Sequence, residues 1–220
     1  METKISVFGQ HTILFKNSKN IYFESSSLPK KRALKADYIL LSGNPLGINV
    51  ENIASLVKKT TKILCPYQTM EFLLGAKELK DVLTEDFFVL ETLDSNDLSI
   101  EKVASYKVDK ILNPHDDFNG YLITIGNERF YCAGPTDLIP EMNFIHADVA
   151  CIPVSGFGMD LFEAVAATNV LDAKVFCPIS YDESEEAGLT ACSRFLLKSM
   201  APSDGFRKLP VPETVKLHDN

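Results

Sequence analysis

The sequence predicts an α+β protein of two β-sheets with helices on their outer faces, and three observations predict it. Apolar residues alternate at a period of two near the start. A buried strand, a loop and a helix then follow one another, and the second half repeats that style after a hairpin.

Taken in order, Lys4 to Lys16 and Lys19 to Ser25 alternate as half-buried strands joined by the polar turn Asn17 to Asn20, an opening hairpin. Ala36 to Leu41 reads as a buried strand and Ser42 to Asn49 as a loop. A helix follows from Val50, with Ile53, Leu56 and Val57 on one face, Asn49 as its cap and Glu51 in its first turn. Thr61 to Pro66 is a second buried strand, and Gln68 to Leu83 has helical pattern with Gly75 as a stop or kink. Asp86 to Leu93 and Ser99 to Val108 are strand-like. Tyr121 to Gly126 and Glu128 to Gly134 form a hairpin over Asn127. Then come the strand Asp148 to Val154, the helix Asp160 to Leu171, the strand Lys174 to Tyr181 and the helix Leu189 to Met200. Pro202, Pro210 and Pro212 predict an extended tail over about 201–220.

At 220 residues and 45% hydrophobic content, the chain is expected to form one domain over 1–220. Its formal charge of −8, from 30 acidic and 22 basic residues, repels polyanions, so no nucleic-acid partner is expected. Lys30, Lys31 and Arg32 read as a solvated loop. Apolar runs are short, and the first residues have neither an h-region nor a small-residue cleavage site. No membrane span or export signal is expected, and a cytoplasmic location follows. Cys65, Cys132, Cys151, Cys177 and Cys192 sit mostly in apolar segments without a CxxC pair, which predicts reduced thiols and no zinc or redox site.

More specific is Gly134-Pro135-Thr136-Asp137-Leu138-Ile139-Pro140-Glu141-Met142, which resembles GDTDxIPEM of the ascorbate-6-phosphate lactonase-like branch of the metallo-β-lactamase superfamily. Its flanks match too: Gly120 to Ile123, Arg129 to Tyr131, Asp148 to Ala150, Pro153-Val154, Met159 and Glu163-Ala164. Ala36 to Ser42 looks like the strand that delivers the HxHxDH loop, and Cys177-Pro178-Ile179-Ser180-Tyr181 looks like PxHY. The resemblance spans most of the chain and implies an αββα sandwich of two mixed sheets.

It also implies that the metal ligands have been replaced. HxHxDH falls on Gly43, Asn44, Pro45, Leu46, Gly47 and Ile48, the bridging aspartate on Pro135, and the late histidine on Ser180. A catalytic zinc or manganese site takes about three His or carboxylate ligands plus an open position for water, so no metal and no other cofactor are expected. Without the metal, the hydroxide it generates near neutral pH is lost. The expectation is therefore a catalytically degenerate protein, a pseudoenzyme, acting by small-molecule binding or assembly.

A vestigial pocket would be lined by Ser42, Asn44, His115, Thr136, Ser180 and Tyr181, which offer hydrogen bonds to a small polar metabolite. If that pocket has collapsed around Pro45, Leu46 and Ile48, a homo-oligomer with its working surface elsewhere is the alternative. The other class is a hydrolase of a lactone or phosphorylated small molecule. It would use a metal relocated to His115, Asp116 and Asp117, or metal-free chemistry at a mouth shared by Ser42, Ser180 and His115. His11 reads as a packed or hydrogen-bonded residue, His146 and His218 as surface residues, and Asp137 and Glu141 as the cap and first-turn charge of a short helix. Ser155 to Met159 is too short for a dinucleotide fingerprint.

Overall fold

The computed structural model describes residues 3–29, 33–44, 46–89, 92–108, 118–154 and 158–180. The chain opens with β1 (Lys4–Phe8), β2 (Thr12–Lys16) and β3 (Asn20–Phe23), an antiparallel meander. The sequence reading joined β1 and β2 into one strand. Gly9 separates them at φ +58, where a Cβ would lie 2.5 Å from Ser27 Oγ, so the chain reverses at a residue with no side chain to obstruct it.

Three parallel pairings extend this sheet: β4 (Tyr38–Leu40) beside β3, β5 (Lys62–Leu64) beside β4, and β6 (Phe88–Val89) beside β5. Between them lie α1 (Val50–Leu56) and α2 (Tyr67–Gly75). Asn49 caps α1 as its position predicts, its side-chain oxygen accepting from the Asn52 N–H at 2.9 Å. The second helix ends at Gly75, and Leu79 and Leu83 continue the buried face through turns.

The second sheet repeats the plan. β7 (Leu93–Ser95), β8 (Leu98–Val103), β9 (Gly120–Ile125) and β10 (Glu128–Cys132) are antiparallel neighbours, and β11 (His146–Pro153) and β12 (Asp172–Ile179) add in parallel beyond β10. The predicted hairpin turns at Gly126-Asn127. Asp160 and Glu163 close a reciprocal capping box at the start of α3 (Leu161–Val170). The helix expected over 189–200 and the tail over 201–220 lie outside the described residues.

Among the described residues, each sheet has six strands. Ile13, Phe15, Phe23, Leu40 and Leu64 of the first meet Ile100, Tyr121, Ile123, Phe130 and Cys151 of the second in a central core. Both outer faces are also buried. Tyr22, Ile39 and Ile63 pack under Ile53, Leu56 and Leu73, while Tyr131, Ala150 and Ile152 pack under Ala164 and Ala167. Helix, sheet, sheet and helix therefore stack as four layers, because the central parallel strands are apolar on both faces. The predicted α+β sandwich of two mixed sheets is the fold observed.

Candidate functional site

Parallel strands align their carboxyl ends, so β4, β5, β11 and β12 deliver their following loops to one end of the sandwich, with the end of β10 and the β1–β2 turn beside them. Such an end is where open sheets place their chemistry. Three hydrogen-bonded groups occupy it.

The first lies beneath the loop that follows β4. Glu24, just past β3, is 2% exposed and adopts φ +61. Its backbone N–H donates to the Leu40 carbonyl at 2.9 Å. Its Oε1 accepts from the Ser42 N–H at 3.1 Å and from the Ser42 hydroxyl, while buried Oε2 has no hydrogen-bond partner among the described residues. Burial pushes this carboxyl up to about 7, against the lowering effect of the Ser42 hydrogen bonds.

Gly47 lies directly over that carboxyl, and a Cβ there would sit 2.5 Å from Glu24 Cδ. Its carbonyl accepts from the Ser25 N–H at 2.7 Å, and Asn49 N–H donates to Ser25 Oγ at 2.9 Å. Ser42 Oγ accepts from the Asn44 N–H at 3.3 Å, and Asn44 Oδ1 accepts from the Leu46 N–H at 3.0 Å. Ser42 and Asn44 are thus buried and engaged within their own loop.

The two sheets are laced together beside this loop. Tyr121 Oη lies 2.8 Å from the Leu41 carbonyl oxygen and 2.9 Å from that of Leu64, and the Asn119 N–H donates to the Ser42 carbonyl at 2.9 Å. Gly134, at φ +68, seats itself against the same wall. A Cβ on it would lie 2.6 Å from the Asn119 carbonyl oxygen and 3.1 Å from Ser42 Cβ. Ser42 therefore meets the segment carrying Gly134 and Pro135, and Pro135 itself is buried.

Thr136 forms the second group. Its hydroxyl is within 3.2 Å of both the N–H and the carbonyl of Tyr106 and 2.9 Å from the Asp137 carbonyl oxygen, which pins the chain after β8. The carboxylate of Asp137 pairs with Lys107 Nζ at 2.6 Å and accepts from the Val108 N–H, rather than capping the short 3-10 turn Pro140–Phe144. Glu141 does lie in the first turn of that element and accepts from the Tyr106 hydroxyl at 3.0 Å.

Ser180 and His11 make the third. Ser180 Oγ is 3.0 Å from His11 Nδ1, and the Ser180 N–H donates to the Gln10 carbonyl at 2.7 Å. Ser180 holds φ +57. Both residues are half-buried, and burial lowers the imidazole pKa. His146, as its position suggested, is exposed and contacts Asp172 at 2.8 Å.

Of the expected pocket residues, Ser42 and Asn44 come together, whereas Thr136 and Ser180 belong to separate groups. His115, Tyr181 and Pro45 lie outside the described residues, as do Asp116 and Asp117. Sequence reasoning missed Glu24, whose only signal is a carboxylate directly after the apolar run Ile21 to Phe23. It also read His11 without its partner, which stands 169 residues away.

Among the described residues, the donors at this end of the sandwich do not fit a catalytic metal ion. Gly43, Gly47, Ile48 and Pro135 have no side-chain electron pair to offer, and the nearby carboxylate of Glu24 is covered by Gly47. Among the described residues, no three His, Cys, Asp or Glu side chains are grouped to hold one. Cys132, Cys151 and Cys177 stand in register across β10, β11 and β12. The Cys151 thiol is raised well above the ordinary range by its hydrogen bond with Cys132 and by burial, and the Cys177 thiol by its hydrogen bond with Cys151 and by burial, so they remain protonated.

At the opposite end, a cleft of about 250 Å³ is lined by Ser18, Lys19, Tyr38, Asn96 and Asp97. None of the perturbed titratable groups described above reaches it. No helix among the described residues is long and apolar enough to cross a membrane.

No family model matches the chain. Its architecture nevertheless recurs in solved structures. A protein described as a metal-dependent hydrolase from Parabacteroides distasonis matches at 23% identity and a TM-score of 0.68, over 86% of this chain and 87% of that one. Igni18, a metallo hydrolase from the archaeon Ignicoccus hospitalis, matches at 17% identity and 0.66, over 90% of each. The metallo-β-lactamase fold protein YhfI from Bacillus subtilis matches at 12% identity and 0.65, over 93% and 95%. The chain has the metallo-β-lactamase fold, and its neighbours of that fold include proteins named as metal-dependent hydrolases.

Proposed function

We propose that this is a metallo-β-lactamase-fold protein that works without the metal chemistry of its structural neighbours, a degenerate relative within the ascorbate-6-phosphate lactonase-like branch. The observation that carries the reading is the loop after β4. Where an ion would need imidazole and carboxylate ligands, Gly43, Gly47 and Ile48 offer none, Gly47 lies over the Glu24 carboxyl, and Asn44 turns its side-chain oxygen to the loop's own Leu46 N–H. Pro135 and Ser180 complete the set of replaced ligand positions. A loop packed in this way serves as structure, and the protein acts by binding a small polar molecule beside Ser180 or by assembling with copies of itself in the cytoplasm.

A second reading, metal-free hydrolysis of a lactone or phosphorylated small molecule, is favoured by the contact between Ser180 and His11. Elemental analysis of the purified full chain tests what the two readings share. Zinc, manganese and iron are expected well below one equivalent. A near-stoichiometric ion that is lost in H115A would overturn both. Thermal-shift screening with sugar phosphates and lactones then tests binding, since a ligand held by the folded state raises Tm by mass action.

A further inference from the structure

His11 and Ser180 bring an imidazole and a hydroxyl together at the loop end of the sandwich, from the β1–β2 turn and the last residue described after β12. Their surroundings differ from those of Ser42, whose hydroxyl is sealed in the interior. Both members of the pair keep part of their surface accessible. Ser180 is also held in the left-handed region, at φ +57, a conformation that is unfavourable for a residue with a Cβ. The 2.7 Å hydrogen bond from its N–H to the Gln10 carbonyl ties that backbone to the turn bearing His11. The constraint aims Oγ at Nδ1 across two elements from opposite halves of the chain.

The direction of this hydrogen bond decides what the pair can do. With Nδ1 unprotonated and the ring proton on Nε2, the serine hydroxyl donates to the imidazole. Burial lowers the His11 pKa below 6.5, so the neutral ring needed for that arrangement prevails at neutral pH.

We propose that Ser180 is a nucleophile with His11 as its general base, and that the pair accepts acyl groups from lactones or other activated esters. This rests on the second, metal-free reading above. Ser180 Oγ forms a bond to the acyl carbon while its proton passes to His11 Nδ1. The acyl C–O bond of the ring then breaks, and the departing oxygen takes the proton from His11. An ester of Ser180 remains, bearing the opened chain with its new hydroxyl. Water then attacks that ester as His11 removes its proton, and Ser180 Oγ leaves and recovers the proton, releasing the hydroxy acid. Lactone and water become hydroxy acid, and no oxidant, metal or cofactor is consumed. An ester suits such a pair because an oxygen leaving group departs with less prior protonation than an amide nitrogen.

The full chain, kept in EDTA, is treated with a fluorophosphonate probe and separately with p-nitrophenyl acetate. Intact-mass measurement is expected to show one adduct, mapping to Ser180 on digestion. S180G removes it, and glycine adopts a positive φ without strain, so the variant keeps its fold. H11N is expected to slow labelling by about 100-fold or more, the usual range for loss of a general base. Should H11N melt early, the wild-type pH profile replaces it, with labelling falling as pH drops through a midpoint below 6.5. No adduct, an adduct on another residue, undiminished labelling of H11N or a rate independent of pH would each overturn the proposal. Because metal content is measured separately, a chain without bound ion and without adduct loses this inference while the non-catalytic reading stands.

Discussion

Replacing Glu24 by Gln tests the packed loop through its pH dependence. The folded protein holds this carboxyl at about 7 against an ordinary value of 4.5, a difference worth about 3 kcal/mol. The folded pKa is raised, so the folded state takes up a proton more readily than the unfolded chain. The associated stability is complete below pH 4.5 and drains away as pH rises towards 7. The cause is the buried charge under Gly47, with Oε2 unpaired. In E24Q the amide oxygen still accepts from Ser42, and no charge develops.

Urea unfolding of both proteins at several pH values between 5 and 8 measures the difference. All other titrating groups are common to the pair and cancel. The stability of E24Q relative to wild type is expected to rise by about 2–3 kcal/mol from pH 5 to pH 8, most of it before pH 7. A difference that stays flat over this range would refute the assignment of Glu24 as a buried, proton-holding carboxyl.

Two further substitutions test how the ends of the sheets are held together. G134A places a methyl group 2.6 Å from the Asn119 carbonyl oxygen at a positive φ, and a loss of about 2–4 kcal/mol in chemical denaturation is expected. Y121F removes a buried hydroxyl that serves the Leu41 and Leu64 carbonyls, which should cost about 1–3 kcal/mol, and an unchanged Tm would contradict that role.

Much of the architecture was legible because it depends on local periodicity. Leu14, Tyr22, Ile39 and Ile63 declare their strands through short-range alternation or continuous apolar runs, and Asn49 and Asp160 cap helices within three residues of themselves. Gly9 escaped that reading, since Val7, Phe8, Ile13 and Leu14 keep an apolar pattern on both sides of the reversal.

The candidate site was less legible, because its contacts join residues far apart in the chain. The sequence by itself determined which donors could stand in the loop after β4: glycine, asparagine, leucine and isoleucine supply no imidazole or carboxylate wherever they are placed. Only the tertiary structure decided that Glu24 lies under Gly47, that Gly134 abuts Ser42, and that Ser180 meets His11. Side-chain chemistry belongs to each residue alone, whereas desolvation and hydrogen bonding arise only when folding brings distant residues within a few ångströms.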